Sequence, residues 1–369
     1  MTFTAAFCFA FIASVFAAIT IVSTKRLHGH LTLDIHPGVQ KLHIAPTPRV
    51  GGVALFLGAI VGGAFLPAGT QWLWLMICIS ALPAFTFGLI EDLTKRVGVK
   101  VRLLATICAG LMFCILTGYQ ITRVDVPGVD LLLSFWLPSL LFTAFAIGGI
   151  ANAINIIDGV NGLAAGTSII ILSGFALIAW QFEDMEILGA CVVAIGALVG
   201  FFLLNFPTGR LFLGDAGAYT IGFILAVIAV ALPQRNPDLS PLIGLLALAY
   251  PVMETMISIL RRIAREGSHP GQPDRLHLHS LVFRSRAKRL AQAIGAPHLR
   301  NPLTSLLLMG LPLLSVVLMV LFGRNTLLIW ASIAVVALIY VTVYRKVALL
   351  APLVSLNKRQ PALLEKNKV

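Results

Sequence analysis

The sequence predicts an all-α protein that crosses a membrane many times. Of its 369 residues, 58% are hydrophobic and 11% are charged, and the mean hydropathy is +0.94. A soluble domain carries about 25% charged residues. A membrane-spanning helix needs roughly 17–25 apolar residues. The sequence contains eleven apolar runs of about this length, two of which are short. The predicted spans are 3–23, 50–66, 71–90, 101–118, 134–151, 163–180, 187–204, 218–232, 240–260, 303–322 and 326–344.

The basic residues predict how these spans are oriented. If the N-terminus is outside, every Lys and Arg except Arg123, Arg235 and Arg324 falls in an inside segment or at its edge. Because basic loops stay on the cytoplasmic side, this asymmetry places the N-terminus outside and the C-terminus in the cytoplasm. The net charge of +12 is spread over short loops instead of one basic and aromatic face, which argues against a nucleic-acid partner.

The two ends of the chain and the cysteines predict little chemistry. The first apolar run lacks a basic segment before it, so we expect a retained span and not a secretory signal. We expect residues 1–346 to form one transmembrane catalytic domain and residues 347–369 a basic cytoplasmic tail. The five cysteines lie inside apolar runs without C-x-x-C spacing, which predicts packing residues and neither disulfides nor a zinc site.

Polar side chains interrupt the apolar pattern between the fifth and sixth predicted spans. Asn152, Asn155, Asp158 and Asn161 recur at every third residue, so on a helix they share one slowly turning face. Apolar residues flank them on both sides, where polar groups are costly to bury and are usually functional. This stretch therefore predicts a binding site at the membrane boundary.

Two further groups of acids lie on the same predicted face. Glu91 and Asp92 end the third span, and two adjacent carboxylates favour a cation such as Mg²⁺, which prefers hard oxygen ligands. Asp215 lies between Gly214 and Gly217, which leave room for a large anionic ligand or its metal. The alternatives are a solvated helix end for the acidic pair and a helix cap for Asp215.

A third acid and two histidines lie near the ninth predicted span. Glu254 is well inside that span, which makes it a functional hypothesis by default, with Arg261 as an alternative structural partner two turns away. In the next inside loop Arg275, His277 and His279 alternate, so they share a face of an extended segment. The two histidines could bind a transition metal. Arg275, together with the other inside loops that carry the acids, instead favours an anionic substrate.

These groups together predict phosphoryl transfer at the lipid boundary. Carboxylates and cations around one cleft suit Mg²⁺-assisted chemistry, with a lipid phosphate as one substrate. Three other classes are alternatives: a transporter or flippase for a lipid-linked glycan, an intramembrane prenyltransferase with Asp-rich sites, and a structural membrane scaffold. A transporter would need polar residues at mid-membrane depth on several spans. The basic residues that could serve phosphate charge are Lys41, Arg49, Lys100, Arg102, Arg210 and Arg275.

Five motifs in order resemble the polyprenyl-phosphate N-acetylhexosamine-1-phosphate transferases. They are P-T-P-R-V-G-G (46–52), E-D (91–92), N-A-I-N-I-I-D-G-V-N-G-L-A (152–164), F-L-G-D-A-G (212–217) and D-R-L-H-L-H (274–279). The resemblance implies that a polyprenyl phosphate, such as undecaprenyl phosphate, takes a sugar phosphate from a UDP-N-acetylhexosamine and that UMP leaves. It also implies Mg²⁺, which Mn²⁺ can replace, and a site facing the cytosol at a bacterial inner membrane. The lipid bilayer is a further partner, and a homodimer stays open.

The resemblance also implies a role for each site residue. Asp215 and Asp158 would bind the metal. Asp92 or Glu91 would act as the base for the lipid phosphate or as a second metal contact, with Asp158 and His277 as further catalytic residues. The substrate-binding residues would be Asn155, Asn161, Asn205, Arg49, Lys100, Arg102, Arg275 and His279.

Three positions depart from the family motifs. Glu91 stands where the acidic pair usually begins with Asp, Asn161 replaces a second acid, and Ser280 replaces a third histidine. The D-R-x-H-x-H form resembles the N-acetylglucosaminyl branch, which primes O-antigen and teichoic-acid-type glycans. The muramoyl-pentapeptide branch instead has three adjacent histidines. We therefore expect GlcNAc-1-phosphate as the transferred group, with another UDP-N-acetyl sugar as the alternative.

Overall fold

A computed structural model describes residues 1–33, 46–264 and 276–350, and within these ranges the chain is almost entirely α-helical. The helices are α1 (Phe3–Ser23), α2 (Lys25–Thr32), α3 (Gly51–Ala64), α4 (Gln71–Thr94), α5 (Val99–Thr117), α6 (Pro127–Leu133), α7 (Trp136–Ile157), α8 (Leu163–Gln181), α9 (Met185–Asn205), α10 (Gly214–Arg235), α11 (Ile243–Ala247), α12 (Ala249–Ile263), α13 (Leu278–Val282), α14 (Lys288–Ala293), α15 (Arg300–Leu308), α16 (Gly310–Phe322) and α17 (Thr326–Leu350). The π-helical turn Phe283–Ala287 joins α13 to α14. The all-α prediction is confirmed.

Long apolar helices make the protein polytopic. In the part of the chain that the structure describes, nine helical segments are long and apolar enough to cross a membrane, and each overlaps a predicted span. Two predicted spans are different in form. The run 50–66 holds only the 14-residue helix α3, and the run 240–260 is divided between α11 and α12. Pro251 explains the division, because it has no N–H for the Ala247 carbonyl and so sits in the first turn of a new helix.

Helix α10 forms the centre of the bundle. All of its residues from Gly214 to Leu232 are buried, and it contacts α3, α4, α5, α7, α8 and α9. A Cβ atom built on Gly222 would lie 2.7 Å from the Cα atom of Ala151 in α7. Small residues at such crossings let helix backbones approach closely, which supplies the van der Waals packing that holds helices together in lipid. The two ends of α10 are therefore fixed by their neighbours.

Five polar side chains, which we call the Arg235 cluster, fix the C-terminal end of α10: Tyr119, Asp184, Glu186, Arg235 and Asn236. Arg235 donates from Nε and Nη2 to the two Asp184 oxygens, at 2.8 and 3.0 Å. Its Nη1 donates to the Tyr119 hydroxyl at 2.7 Å and lies 2.7 Å from a Glu186 oxygen. The Asn236 amide donates to Asp184 at 3.1 Å. The cluster thus joins the end of α10 to the start of α9.

Candidate active site

Asp92 fixes the opposite, N-terminal end of α10. It lies in the last turn of α4 and is completely buried. Its Oδ1 accepts a hydrogen bond from the backbone N–H of Asp215 and its Oδ2 accepts one from Ala216, both at 2.9 Å. The first N–H groups of a helix have no partner inside the helix, and the helix dipole favours a negative charge there. Asp92 therefore caps α10 from a different helix.

The backbone at Gly214 makes this capping contact possible. Gly214 has φ +74°, a left-handed backbone conformation that residues other than glycine rarely adopt. A Cβ atom at this position would lie 2.5 Å from Asp92 Oδ2 and would also overlap the Arg49 carbonyl. Glycine is thus required here both for its conformation and for space.

Asp215, in the first turn of α10, is surrounded by hydrogen-bond donors. Its Oδ1 accepts from Arg49 Nη2 at 2.6 Å and from Asn155 Nδ2 at 3.2 Å. Its Oδ2 accepts from Arg102 Nη1. Arg49 Nε also lies 3.6 Å from Asp92 Oδ1. We call Arg49, Asp92, Arg102, Asn155 and Asp215 the Asp215 cluster; it brings together residues from four helices and the segment before α3.

Asp158 lies beside the Asp215 cluster. It follows the last residue of α7, and part of its surface is accessible. Burial raises the pKa of its carboxyl from 3.8 to about 7, while the charge of Arg49 acts to lower that pKa and the charge of Asp215 to raise it. A carboxyl group that titrates near neutrality can accept or release a proton during a reaction.

Glu254 holds the segment that carries the two histidines. Its side chain is 1% exposed, and its Oε1 lies 3.0 Å from His277 Nδ1. Both of its oxygens accept from the backbone N–H of Leu278, and Oε2 also accepts from the Tyr340 hydroxyl at 2.7 Å. We call Glu254, His277 and Tyr340 the Glu254 brace. The Arg261 guanidinium, considered as a partner of Glu254, instead donates to the carbonyl that precedes His277.

His279 connects this segment to the loop after α7. Its ring lies directly against Gly159, where an added Cβ would overlap Nε2. Its Nδ1 is buried and has no hydrogen-bond partner among the described residues. Burial lowers the pKa of His279 from 6.5 to about 4, so the ring is neutral at physiological pH. The neutral imidazole therefore lies against the residue that follows Asp158.

Asn161 and Asn205 join the two loops that flank the site. Asn205 is buried, its Oδ1 accepts from the Gly162 N–H at 2.6 Å, and its Nδ2 donates to the Leu211 carbonyl at 2.8 Å. Asn161 Nδ2 donates to the Pro207 carbonyl at 3.2 Å. Both side chains thus bind backbone, and their expected contacts with a nucleotide or diphosphate stay predictions.

Comparison with known proteins identifies the family. Residues 74–233 match the glycosyl transferase family 4. Over 336 residues the chain is 30% identical to the decaprenyl-phosphate N-acetylglucosaminephosphotransferase of Mycobacterium tuberculosis (strain ATCC 25618 / H37Rv), an alignment that covers 80% of this chain and 78% of that protein. The chain belongs to glycosyl transferase family 4.

Two further relatives are named for two different activities. The probable undecaprenyl-phosphate N-acetylglucosaminyl 1-phosphate transferase of Bacillus subtilis (strain 168) is 29% identical over 272 residues, covering 73% of this chain and 75% of that protein. The phospho-N-acetylmuramoyl-pentapeptide-transferase of Enterococcus hirae is 31% identical over 234 residues, an alignment that covers 59% of this chain and 69% of that protein. The resemblance inferred from the motifs is thus confirmed for the family. The region that matches the family includes Asp158 and the Asp215 cluster except Arg49.

Three further expected site residues are not members of the Asp215 cluster, although the charge of Glu91 acts on Arg102. Glu91 Oε2 accepts from the Val97 N–H at 2.8 Å and so closes the loop between α4 and α5. Lys100 is exposed in the first turn of α5. Arg275 lies outside the described residues. The roles that the family 4 motifs imply for these three residues stay predictions.

The carboxylates of this family 4 site suit Mg²⁺ in type, because Mg²⁺ prefers oxygen ligands. Within residues 1–33, 46–264 and 276–350, no group of three His, Cys, Asp or Glu residues converges as a metal site would. Mg²⁺ usually binds through one or two carboxylates and takes its remaining ligands from substrate phosphates and water. The residues therefore fit a metal that binds together with a phosphate ligand.

Proposed function

We propose that this protein transfers an N-acetylhexosamine-1-phosphate, most readily GlcNAc-1-phosphate, from its UDP-sugar to a polyprenyl phosphate. The observation that carries the proposal is the Asp215 cluster, where buried carboxylates and two arginines meet at one end of an apolar helix bundle. Phosphoryl transfer needs such positioning and charge stabilisation more than covalent chemistry by the protein. The Mycobacterium tuberculosis and Bacillus subtilis relatives are both named as N-acetylglucosamine phosphate transferases, which supports the choice of sugar.

In the proposed reaction an oxygen of the polyprenyl phosphate bonds to the β-phosphorus of the UDP-sugar. The bond from that phosphorus to the bridging oxygen breaks, and UMP leaves with the bridging oxygen. Arg49 and Arg102 present guanidinium groups, whose paired N–H donors match phosphate oxygens. Asn155 would donate to the same diphosphate.

The acids would divide the remaining tasks among them. Asp92 has both oxygens bound to the backbone of α10, so we assign it to positioning Asp215 and not to proton transfer. Asp158 would accept the proton of a protonated lipid phosphate, since its pKa is about 7. Asp215 would hold Mg²⁺, which stabilises negative charge on the transferred phosphate when it is bound.

We further propose that α3 and the α11–α12 pair cross the membrane together with the nine long helical segments of the described chain, which gives eleven crossings. The N-terminus would lie outside and the C-terminus in the cytoplasm of a bacterial inner membrane, with the Asp215 cluster facing the cytoplasm. The distribution of Lys and Arg supports this orientation. Residues 1–346 would form one catalytic domain, followed by the basic tail 347–369.

A transfer screen tests the proposed function. Purified protein is incubated with undecaprenyl phosphate, Mg²⁺ and a panel of radiolabelled UDP-N-acetyl sugars, and both lipid-extractable label and UMP are measured. We expect transfer from UDP-GlcNAc, with none when Mg²⁺ is chelated. Asp215→Asn should lower transfer by about 10²–10³-fold, whereas Asp238→Asn, which changes an exposed acid beyond the far end of α10, should leave it unchanged. Transport of a lipid-linked glycan without any UMP release would contradict the proposal.

A further inference from the structure

Asp215, the residue expected to hold the metal, has both carboxylate oxygens bound to cationic side chains. Arg49 and Asn155 donate to Oδ1, and Arg102 donates to Oδ2. The Asp215 side chain is 2% exposed, so solvent has almost no access to these oxygens. In this arrangement the carboxylate is already neutralised by two guanidinium groups.

A divalent cation would bind poorly at Asp215 while both arginines stay in place. It would lie within a few ångströms of two positive charges, in surroundings where charges interact more strongly than they do in water. The two partly buried guanidinium groups that leave Asp215 must also be compensated, because an unpaired buried charge is unstable. Metal binding at Asp215 therefore requires new partners for Arg49 and Arg102.

A diphosphate supplies those partners. Guanidinium groups bind phosphate oxygens through two parallel N–H donors, and two phosphates offer enough oxygens for two arginines. The side chains of Arg49 and Arg102 are 30% and 16% exposed, so they are more accessible to a ligand than the Asp215 carboxylate, which is 2% exposed. The Nε atom of Arg102 is buried and has no hydrogen-bond partner among the described residues, which leaves one donor for an incoming acceptor.

We propose that Arg49 and Arg102 form a latch on Asp215 that a nucleotide diphosphate opens. The arginines turn from the carboxylate to the diphosphate, and the Asp215 oxygens then become accessible to the divalent metal. Nucleotide and metal thereby raise each other's affinity, because each stabilises the open arrangement. This inference rests on the proposed function, since it takes a UDP-sugar as the diphosphate ligand.

Binding of Mn²⁺, followed by electron paramagnetic resonance on the full chain in detergent, tests the latch without measuring activity. In the wild type we expect UDP-GlcNAc to raise the Mn²⁺ affinity by about tenfold or more. In Arg102→Gln and Arg49→Gln we expect tighter Mn²⁺ binding without nucleotide, and a smaller gain when UDP-GlcNAc is added. UDP-GlcNAc itself, measured by equilibrium dialysis, should bind these variants more weakly.

Arg96→Gln is the matched control for the loss of one positive charge. Arg96 is exposed in the loop between α4 and α5, six residues before Arg102, and its backbone N–H donates to Thr94. We expect it to bind Mn²⁺ as the wild type does, both with and without UDP-GlcNAc. Equal tightening in this variant would show a general charge effect and would overturn the latch.

Two outcomes separate failure of the latch from failure of the proposed function. If UDP-GlcNAc binds the wild type but leaves its Mn²⁺ affinity unchanged, the latch is wrong, even where the arginine variants do not fold. If UDP-GlcNAc does not bind at all, the proposed function is wrong. The nucleotide-free Mn²⁺ titration of folded Arg102→Gln then still decides the latch, which is wrong if the affinity equals that of the wild type.

Discussion

The two ends of α10 carry the same kinds of side chain in two different arrangements. In the Arg235 cluster each of the three guanidinium nitrogens of Arg235 has an acceptor, and two acids surround one cation. In the Asp215 cluster, about 30 Å away along the helix, two arginines bind Asp215 and Arg49 also lies 3.6 Å from Asp92. Arg102 keeps an unpaired Nε within the described chain. The first arrangement is complete without a ligand, whereas the second leaves donors that suit a phosphate.

The comparison shows that buried Asp–Arg pairs alone do not mark an active site. A fully paired cluster braces the fold, and removing one of its partners leaves an uncompensated buried charge. A cluster with excess donors, next to a carboxyl with a pKa near 7, can exchange partners with a substrate. The following predictions test this difference between the two ends.

The largest expected effects come from removing one carboxylate charge at each end. Asp215→Asn should lower the rate of UMP release by about 10²–10³-fold, because a group that organises charge in the transition state is lost. Asp184→Asn should instead destabilise the fold by about 3 kcal/mol, because Arg235 loses its main partner. Rates per folded molecule at low temperature and thermal unfolding in detergent measure the two effects. A fully active Asp215→Asn protein, or an inactive but stable Asp184→Asn protein, would reverse the assignment of the two ends.

A glycine pair tests the contact between His279 and the loop after α7. Gly159→Ala places a methyl group into the His279 ring, so we expect about 10²-fold lower activity from a shift of the nearby groups. Gly149→Ala, in the middle of α7, meets no atom within 4 Å. It should leave the activity unchanged and stabilise the helix by about 0.5–1 kcal/mol. Equal activity of the two variants would show that the contact of His279 with Gly159 has no role.

The pH dependence of stability tests the burial of His279. Its folded pKa of about 4 lies below the unfolded value of 6.5, so the unfolded chain takes up a proton first as the pH falls. The stability from the neutral ring is fully present above pH 6.5 and is lost progressively towards pH 4. Between pH 7 and pH 5 the loss should be about 2 kcal/mol. The unfolding midpoint of His279→Gln should fall less than that of the wild type over this pH range. Parallel curves of midpoint against pH would contradict the burial of a neutral His279 ring.

The Glu254 brace should have the smallest effect, because it acts through His277. Glu254→Gln keeps the size of the side chain but weakens its hydrogen bonds to His277 and Tyr340, so we expect about tenfold lower kcat/KM, or roughly 1.4 kcal/mol. His277→Asn should cost more, and the double variant should be no worse than His277→Asn alone. Additive losses would mean that Glu254 and His277 act independently.

The sequence predicted the helices and the loops that carry the site, but not the pairings within it. Apolar runs and basic loops are local signals, so nine spans and the grouping of Asp92, Asp158 and Asp215 followed from them. The bond from Arg49 to Asp215 joins residues 166 positions apart, and spacing along the chain carries no signal for it. The same holds for the contact between Glu254 and Tyr340.

Residue type also predicted a role without predicting a partner. The resemblance assigned Asn161 and Asn205 to substrate binding, but it did not indicate that both side chains bind backbone groups of the two loops. The resemblance implied that Asp92 acts as a base or a metal contact, but it did not indicate that the buried Asp92 oxygens cap α10. Pro251, which divides the ninth predicted span, is visible in the sequence, and its effect on that helix follows from the missing N–H.

Photoaffinity labelling with an azido-uridine analogue of UDP-GlcNAc tests most directly which end of α10 binds the substrate. After illumination and digestion, mass spectrometry locates the labelled peptides, with excess UDP-GlcNAc as the competitor. Our account predicts that the segments around Asp158, Asp215 or His279 are labelled and that excess UDP-GlcNAc prevents this labelling. Competed label confined to the segments around Tyr119, Asp184 or Arg235 would contradict it.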